Sequence, residues 1–173
     1  MGKIIIVGLF LLLVQKAYPQ IRYEDTFDSL LNTFQIDNGE VKYVSYDKTE
    51  KKLFIFNLDR TLWREIKLAL PKDSKFDEIK NISVHTFNND SLVELAYTSV
   101  RSRNTNDYET PGGTWNLMDF TLNIVNERGE TLLKVPDSSN MKIYQSEHGN
   151  KLLVTKDEGE GLKGKFKTII YSF

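Results

Sequence analysis

A glycine-rich stretch near the C-terminus is the first place to look for phosphate chemistry. The letters GEGLKGK, residues 159–165, match the spacing G-x-G-x-x-G. A phosphate-binding loop with this spacing must open a helix, because the N-terminal amides of that helix bind the phosphate. Here the next residues are FKTIIYSF, residues 166–173, a pattern that indicates a strand. We therefore interpret the stretch as a loop and predict no cofactor.

Histidines and carboxylates offer little for acid–base or metal chemistry. The two histidines, His85 and His148, do not have the spacing of a zinc motif. Cysteine is absent and no G-x-S-x-G motif occurs, so the usual covalent nucleophiles are missing. Glu94 lies inside the apolar run SLVELAY, where a charge must be bonded to a neighbour or serve a function. We expect a paired or partly exposed structural glutamate, and predict no catalytic residue, no metal site and no enzyme.

A long polar insertion is the strongest candidate for a binding site. Residues 101–116, RSRNTNDYETPGGTWN, stand where an earlier and similar hairpin has only DKTEK. Long loops in compact domains often carry function, and arginines beside aromatic rings suit contacts to proteins or glycans. We predict a ligand site at four residues of the insertion: Arg101, Arg103, Tyr108 and Trp115. The alternatives are a mobile loop or a plain extension of the strands, with Trp115 packed on the sheet.

Three similar hairpins indicate the elements that hold these residues. The segments are TFQIDNGEVKYV (33–44), HTFNNDSLVELAY (85–97) and KIYQSEHGNKLLV (142–154). Each places two apolar runs around a pair of residues that accept positive φ. These pairs are Asn38-Gly39, Asn89-Asp90 and Gly149-Asn150. Such hairpins predict antiparallel strands.

A second unit lies between the hairpins. Residues 52–68, KLFIFNLDRTLWREIKL, are echoed by residues 121–136, TLNIVNERGETLLKVP. In both, an apolar strand runs into a turn-forming asparagine, Asn57 or Asn126. Residues 166–173 supply only the first strand of a third copy. The order predicts about eleven strands in an all-β fold of antiparallel hairpin repeats, propeller-like blades without full ring closure. A β-sandwich or barrel is the alternative.

Two further patterns predict local structure. The runs LFIF and TIIY are apolar on both sides, which is typical of strands covered on both faces. Helical spacing occurs once with force, at Phe27, Leu30, Leu31 and Phe34. It predicts a short helix or turn before the first hairpin.

The N-terminus indicates export. Lys3 is followed by an apolar run over residues 4–14, which as a helix would reach about 16 Å, half of a ~30 Å hydrocarbon core. We predict a signal peptide at residues 1–20, cleaved between Ala17 and Gln20, and a single all-β repeat domain at residues 21–173. No membrane span is expected after cleavage. Export without cysteine favours a bacterial envelope, so we expect a periplasmic or secreted protein.

Charge argues against a nucleic-acid partner. Of the 23 basic side chains, Lys3 and Lys16 lie in the predicted signal, whereas all 24 acidic side chains lie outside it. The remainder is slightly acidic, and no basic patch is present to attract phosphates.

Several of these segments resemble a repeat region of bacterial proteins exported by the type IX secretion system, found upstream of their C-terminal sorting domain. The most similar segments are LFIFNLDRTLWREIKLALP, FNNDSLVELAYTS, IVNERGETLLKVPD and IYQSEHGNKLLV, and the similarity extends over about residues 38–173. The resemblance implies a structural module and brings no catalytic residues. Proteins of this kind continue into a sorting domain, whereas the sequence here ends at Phe173. We therefore expect a periplasmic location and a released one equally.

Two functions are compatible with these features. The first is an exported, non-catalytic β-repeat module that binds or scaffolds a protein or glycan of the envelope or extracellular space. The second is a carbohydrate-binding module or weak glycoside hydrolase, with Tyr108 and Trp115 as a stacking platform and Glu94 among its possible acids.

Overall fold

The computed structural model describes residues 23, 26–88, 90–106, 114–147, 149–159 and 165–173. This part contains eleven strands: β1 (Asn32–Gln35), β2 (Val41–Asp47), β3 (Lys52–Phe56), β4 (Leu62–Lys67), β5 (Lys75–Ser83), β6 (Glu94–Asn106), β7 (Thr114–Asn126), β8 (Thr131–Pro136), β9 (Ser138–Ser146), β10 (Gly149–Asp157) and β11 (Phe166–Ser172). They form three antiparallel sheets, called here sheet one (β1-β2-β3-β4), sheet two (β5-β6-β7-β8) and sheet three (β11-β10-β9). The predicted all-β fold is confirmed, and none of these sheets closes into a barrel within the described residues.

Sheet two lies between the other sheets and is covered on both faces. One buried group joins it to sheet one: Ile36, Val44, Leu53, Ile55, Ile66 and Leu68 with Ile82, Val93, Leu95, Tyr97 and Val125. A second joins it to sheet three: Ala96, Leu122, Ile124, Val135, Leu152 and Val154. Alternation along β6 explains both groups, because Leu95 and Tyr97 face sheet one while Ala96 faces sheet three. Each fully buried aliphatic side chain contributes about 1.5–3 kcal/mol, so these contacts hold the sheets together.

The outer sheets each keep one face less covered, which corrects a prediction. In β11 the run TIIY was predicted to be covered on both faces, yet Ile170 is 63% exposed. In β3, Leu53 and Ile55 are fully buried, whereas Phe54 and Phe56 are only half-buried. An end sheet has a neighbouring sheet on one side only, so apolar composition alone does not show which strands are central.

The helical spacing around Phe27 does not give a helix. No helix occurs between residues 26 and 36, and Asn32–Gln35 instead form β1, which pairs with β2. Phe27 packs on sheet one, with its ring 6.0 Å from Phe56 and 6.4 Å from Tyr43 between centroids. Pairing with β2 and this ring contact outweigh a weak local helical preference.

Two of the predicted hairpin turns can be compared directly with the structure. Gly39 has φ +87° and its N–H donates to the Ile36 carbonyl at 2.9 Å, which confirms the Asn38-Gly39 turn. In the third hairpin Gly149 pairs with Ser146 and Asn150 with Gln145, so the turn predicted at Gly149-Asn150 is wrong and both residues belong to a strand. Gly149, with φ +98°, begins β10.

The second hairpin has a longer connection than predicted. β5 ends at Ser83 and β6 begins at Glu94, so the strand expected around His85 is wrong; Asn89 of the predicted turn lies outside the described residues. The Asp37 carboxylate accepts the N–H groups of Val84 and His85 at 3.0 and 3.2 Å. These bonds attach the connection to the β1–β2 turn. Val84 and His85 therefore do not continue the β5 strand of the hairpin.

Candidate functional site

The described residues of the insertion, 101–106 and 114–116, form a two-stranded extension rather than a loop. β6 and β7 pair without interruption from Glu94 opposite Asn126 to Asn106 opposite Thr114. β5 reaches only to Val100, and β8 only to Thr121. Residues 101–106 and 114–120 therefore extend past both flanking strands, and we call this ribbon the arm. For these residues the loop prediction is wrong and the alternative, an extension of the strands, is confirmed; the packing of Trp115 on the sheet stays a prediction.

Two arginines and one aspartate hold the arm across its strands. Arg103 binds Asp119 with two bonds, Nε to Oδ2 at 2.5 Å and Nη2 to Oδ1 at 2.8 Å. Arg101 stands directly opposite Asp119 and donates from Nη2 to Oδ2 at 3.2 Å. Paired N–H donors of a guanidinium match both oxygens of a carboxylate, which fixes orientation as well as distance. The cluster stabilises a ribbon that pairs with no third strand of the described residues.

The electrostatics of this cluster argue against an acid–base role for Asp119. The hydrogen bond from Arg103 lowers the pKa of Asp119, although burial acts in the opposite direction. The same bond raises the pKa of Arg103. Asp119 is therefore ionised at neutral pH and its oxygens are engaged. Two guanidinium groups against one carboxylate leave one excess positive charge in this cluster.

A groove of about 480 Å³ runs between the arm and sheet three; we call it the arm groove. Three of its apolar side chains are exposed: Leu117 at 39%, Met118 at 57% and Phe166 at 69%. Carboxylates of Asp137, Asp157 and Glu158 also line the groove. Lys156 lies 3.7 Å from Asp137, and Lys167 lies 3.7 Å from Glu158. Binding sites commonly combine apolar side chains with a few charged groups in this way.

The structure brings together some of the predicted site residues. Arg101 and Arg103 lie on the arm with 53% of each side chain exposed. Tyr108 and the side chain of Trp115 lie outside the described part, so their predicted roles stay predictions. The sequence prediction missed Asp119, Met118 and Phe166. The alternation of RSR with MDF would have indicated the Arg–Asp pairs once the register of the two strands was known.

Glu94 is a buried structural residue. Its side chain is fully buried, and Oε2 accepts the Ser83 hydroxyl and the Phe87 N–H, both at 2.9 Å. The prediction that it is bonded to neighbours is confirmed, while the suggestion of partial exposure is wrong. Oε1 is buried without a hydrogen-bond partner among the described residues. A carboxylate closed off from solvent in this way anchors the connection between β5 and β6 and has no access to a substrate.

Histidine geometry gives no sign of a metal centre in the described residues. His85 is exposed, and its Nδ1–H donates to the Asp90 carbonyl at 3.2 Å. His148 lies outside the described residues. Within them, no group of three or more His, Cys, Asp or Glu side chains is placed to hold a metal ion.

Comparisons with known proteins do not assign the chain to a family. No family model matches it, and no curated protein or solved structure is significantly similar to it. The described part also contains no helix long and apolar enough to cross a bilayer. The resemblance to repeats of type IX-exported proteins therefore stays a prediction, and function has to be argued from the arm and its groove.

Proposed function

We propose that this protein is an exported, non-catalytic module of β-hairpin repeats that binds an envelope or extracellular protein through the arm groove. The observation that carries the proposal is the arm itself. An isolated two-stranded ribbon is marginally stable in water, yet β6 and β7 keep their register past both neighbours. Salt bridges from Arg101 and Arg103 to Asp119 stabilise that ribbon, and it presents Leu117 and Met118 to solvent.

Binding accounts for this arrangement better than catalysis does. Glycoside hydrolysis needs two carboxyl groups about 5–10 Å apart across a cleft. Asp119 is engaged by guanidinium groups, and Glu94 is buried. The other carboxylates of the groove also have partners: Asp137 pairs with Lys156, Glu158 pairs with Lys167, and Asp157 Oδ1 accepts the Gly159 N–H. The exposed Leu117 and Met118 instead suit an apolar polypeptide surface, because methionine adapts its shape to a partner.

A carbohydrate ligand is the second candidate. The observation that favours it is the placement of the Phe166 ring beside Asp137 and Asp157 in the same groove. Sugar rings stack on aromatic faces and donate hydroxyl hydrogens to carboxylates.

The proposal includes the location of the protein. Residues 1–20 would act as a cleaved signal peptide, so the mature chain would work in the periplasm or outside the cell. N-terminal sequencing of the envelope fraction should find a start between Tyr18 and Ile21. A chain that keeps Met1 would contradict export by this route.

A trimmed arm tests the function. Ser99 pairs with Thr121 in sheet two as Asp47 pairs with Lys52 in sheet one. Residues 100–120 are therefore replaced by KTEK, the sequence of residues 48–51. The immobilised protein is exposed to a detergent extract of the source envelope and, separately, to a glycan array. The full chain should retain a protein component that the trimmed chain loses.

The result also separates the two candidates. Retention of array glycans by the full chain, with loss on trimming, would favour the carbohydrate alternative. Equal retention by both chains would contradict a function in the arm. Leu132→Asp is the control, since Leu132 is 40% exposed on β8 and does not line the groove.

A further inference from the structure

The outer edge of β11 differs from the other sheet edges of the described chain. β1 has only four residues. The register shifts once along each of β4, β8 and β9, and twice along β5. β11 pairs with β10 over seven residues without a shift, from Phe166 to Ser172, and carries one charge, Lys167. Bulges, charges and short length are the usual features that protect an edge strand against the addition of a further strand, and β11 has the fewest of these features.

The hydrogen-bond pattern shows which backbone groups of β11 face outward. Asn150 and Phe173 exchange two backbone bonds, of 3.1 and 3.2 Å. In an antiparallel pair such residues alternate with residues whose N–H and C=O groups point to the other side. Tyr171, Ile169 and Lys167 therefore bond to β10. Phe166, Thr168, Ile170 and Ser172 direct their backbone groups to the outer edge, where no strand of the described residues lies.

In sheets one and two the corresponding edge is occupied. Lys151 Nζ donates to Ser172 Oγ at 2.6 Å, as Lys42 Nζ donates to Asn57 Oδ1 at 2.8 Å. Ser172 thus stands at the place of Asn57, and Ile170 at the place of Ile55. The Asn57 N–H donates to the carbonyl of Thr61, the residue just before β4, on the side away from β2. In sheet two, the Asn126 N–H bonds outward to Glu130 in the same way, next to β8.

The fourth strands of sheets one and two indicate the chemistry of a strand that fits the outer edge of β11. In sheet two, Leu133 lies opposite Ile124 and Val135 opposite Leu122, with Lys134 between them. In sheet one, Ile66 lies opposite Leu53, with Glu65 beside it. In both sheets the fourth strand places an aliphatic side chain on the same face as the aliphatic side chains of the third strand. It places a charged side chain on the opposite face. On β11 that face carries Ile170, which is 63% exposed.

We infer that the outer edge of β11 binds one antiparallel strand of a partner polypeptide. The strand places aliphatic residues opposite Ile170 and Thr168 and a charged residue opposite Ile169. Backbone bonds to the four outward-facing residues supply affinity, and contact with the Ile170 side chain supplies selectivity. Phe166 at one end of this edge also lines the arm groove, whereas Thr168, Ile170 and Ser172 do not. The inference rests on these three residues and does not depend on the function proposed for the arm.

A peptide of this chain's own fourth strand is the probe. Residues 130–136, ETLLKVP, are added to the full-length protein, and amide hydrogen exchange is followed residue by residue by NMR. Before addition, the amides of Thr168, Ile170 and Ser172 should exchange fast while those of Ile169 and Tyr171 are protected. Saturating peptide should slow the first set at least about tenfold and leave the second unchanged. A scrambled peptide should change neither set.

Proline variants test the same edge from the protein side. Ile170→Pro removes an outward N–H and should abolish the peptide effect while the protein stays folded, since proline is tolerated on an edge strand. Ile169→Pro removes a bond to β10 and should loosen β11 itself. The inference would be overturned if the peptide slowed the exchange of outward-facing and inward-facing amides alike. It would also be overturned if the peptide still slowed exchange in the Ile170→Pro variant.

Two further outcomes would overturn it as well. If the outward amides are protected in the free protein and dilution releases them, the occupant is a second copy of the chain. If they are protected at every concentration, another segment of the same chain covers the edge.

Discussion

The β2–β3 hairpin of sheet one and the β6–β7 hairpin of sheet two have corresponding strands and end differently. Asp47 pairs with Lys52, and the Asp47 carboxylate closes the turn by accepting the N–H groups of Thr49 and Glu50 at 2.7 and 3.0 Å. At the corresponding place Ser99 is buried, and its hydroxyl accepts Asn123 Nδ2–H at 3.2 Å. No side chain closes a turn there. The cross-strand bonds to Asp119 help to keep the two strands paired beyond this place, so the added length forms the arm.

Glu94 in sheet two and Lys42 in sheet one are buried charged residues at corresponding places. Their replacement should give the largest difference in the free energy of unfolding. Glu94→Ala leaves the Phe87 N–H and the Ser83 hydroxyl without their acceptor inside the protein. We expect a loss of about 2–4 kcal/mol in the free energy of unfolding. Lys42→Ala, at the corresponding place in sheet one, should lose about 1 kcal/mol, because its ion-pair partner Glu40 is exposed. Urea denaturation measures both, and equal losses would contradict the distinction.

Trimming the arm should change stability much less. The trimmed chain, with residues 100–120 replaced by KTEK, keeps both buried groups that join the sheets. We expect a change below about 1 kcal/mol, since loop-closure entropy varies slowly with length. A cooperative transition with an unchanged midpoint would establish that the arm is an appendage. Unfolding of the trimmed chain would mean that the arm belongs to the core.

The two asparagine turns offer a smaller test. The N–H of Arg60 donates to the Asn57 carbonyl and that of Gly129 to the Asn126 carbonyl, both at 2.9 Å. Arg60 has φ +73° and Gly129 has φ +81°. Gly129→Ala should lower the free energy of unfolding by about 1 kcal/mol, because a Cβ disfavours this conformation. Arg60→Gly should not lower it by a comparable amount. A reversed order in thermal unfolding would contradict this.

The pH dependence of the arm follows from Asp119. The folded-state pKa of Asp119 lies below its unfolded value because Arg103 donates to it. Its stabilising contribution is therefore present above the unfolded pKa, about 3.9, and is lost as pH falls through the folded pKa. Arg103→Gln should raise the pKa of Asp119 toward that ordinary value. Carboxyl NMR titration measures the shift, and an unchanged pKa would contradict the assigned cause.

Several elements could be predicted from the sequence because their signals are local. Gly39 in its turn, the asparagine turns and the number of strands follow from turn chemistry and alternation. The connection at residues 84–93 could not be predicted, since Asp37, distant in sequence, fixes it. The polar composition of residues 101–116 predicts a loop, because the sequence does not show that Asp119 on the opposite strand binds Arg101 and Arg103. The arm groove also needs Phe166 from sheet three, which only the packing of the sheets brings near Met118.

The most direct measurement compares the binding affinity of variants at two leucines of nearly equal exposure. Leu117 on the arm is 39% exposed and Leu132 on β8 is 40% exposed. Leu117→Asp and Leu132→Asp therefore add the same charge to similar surfaces, and only Leu117 lines the arm groove. The affinity of each variant for the retained envelope component is measured by biolayer interferometry. If the arm groove is the binding site, Leu117→Asp weakens binding about tenfold or more and Leu132→Asp leaves it unchanged. Equal affinities for the two variants would contradict a binding site in the groove.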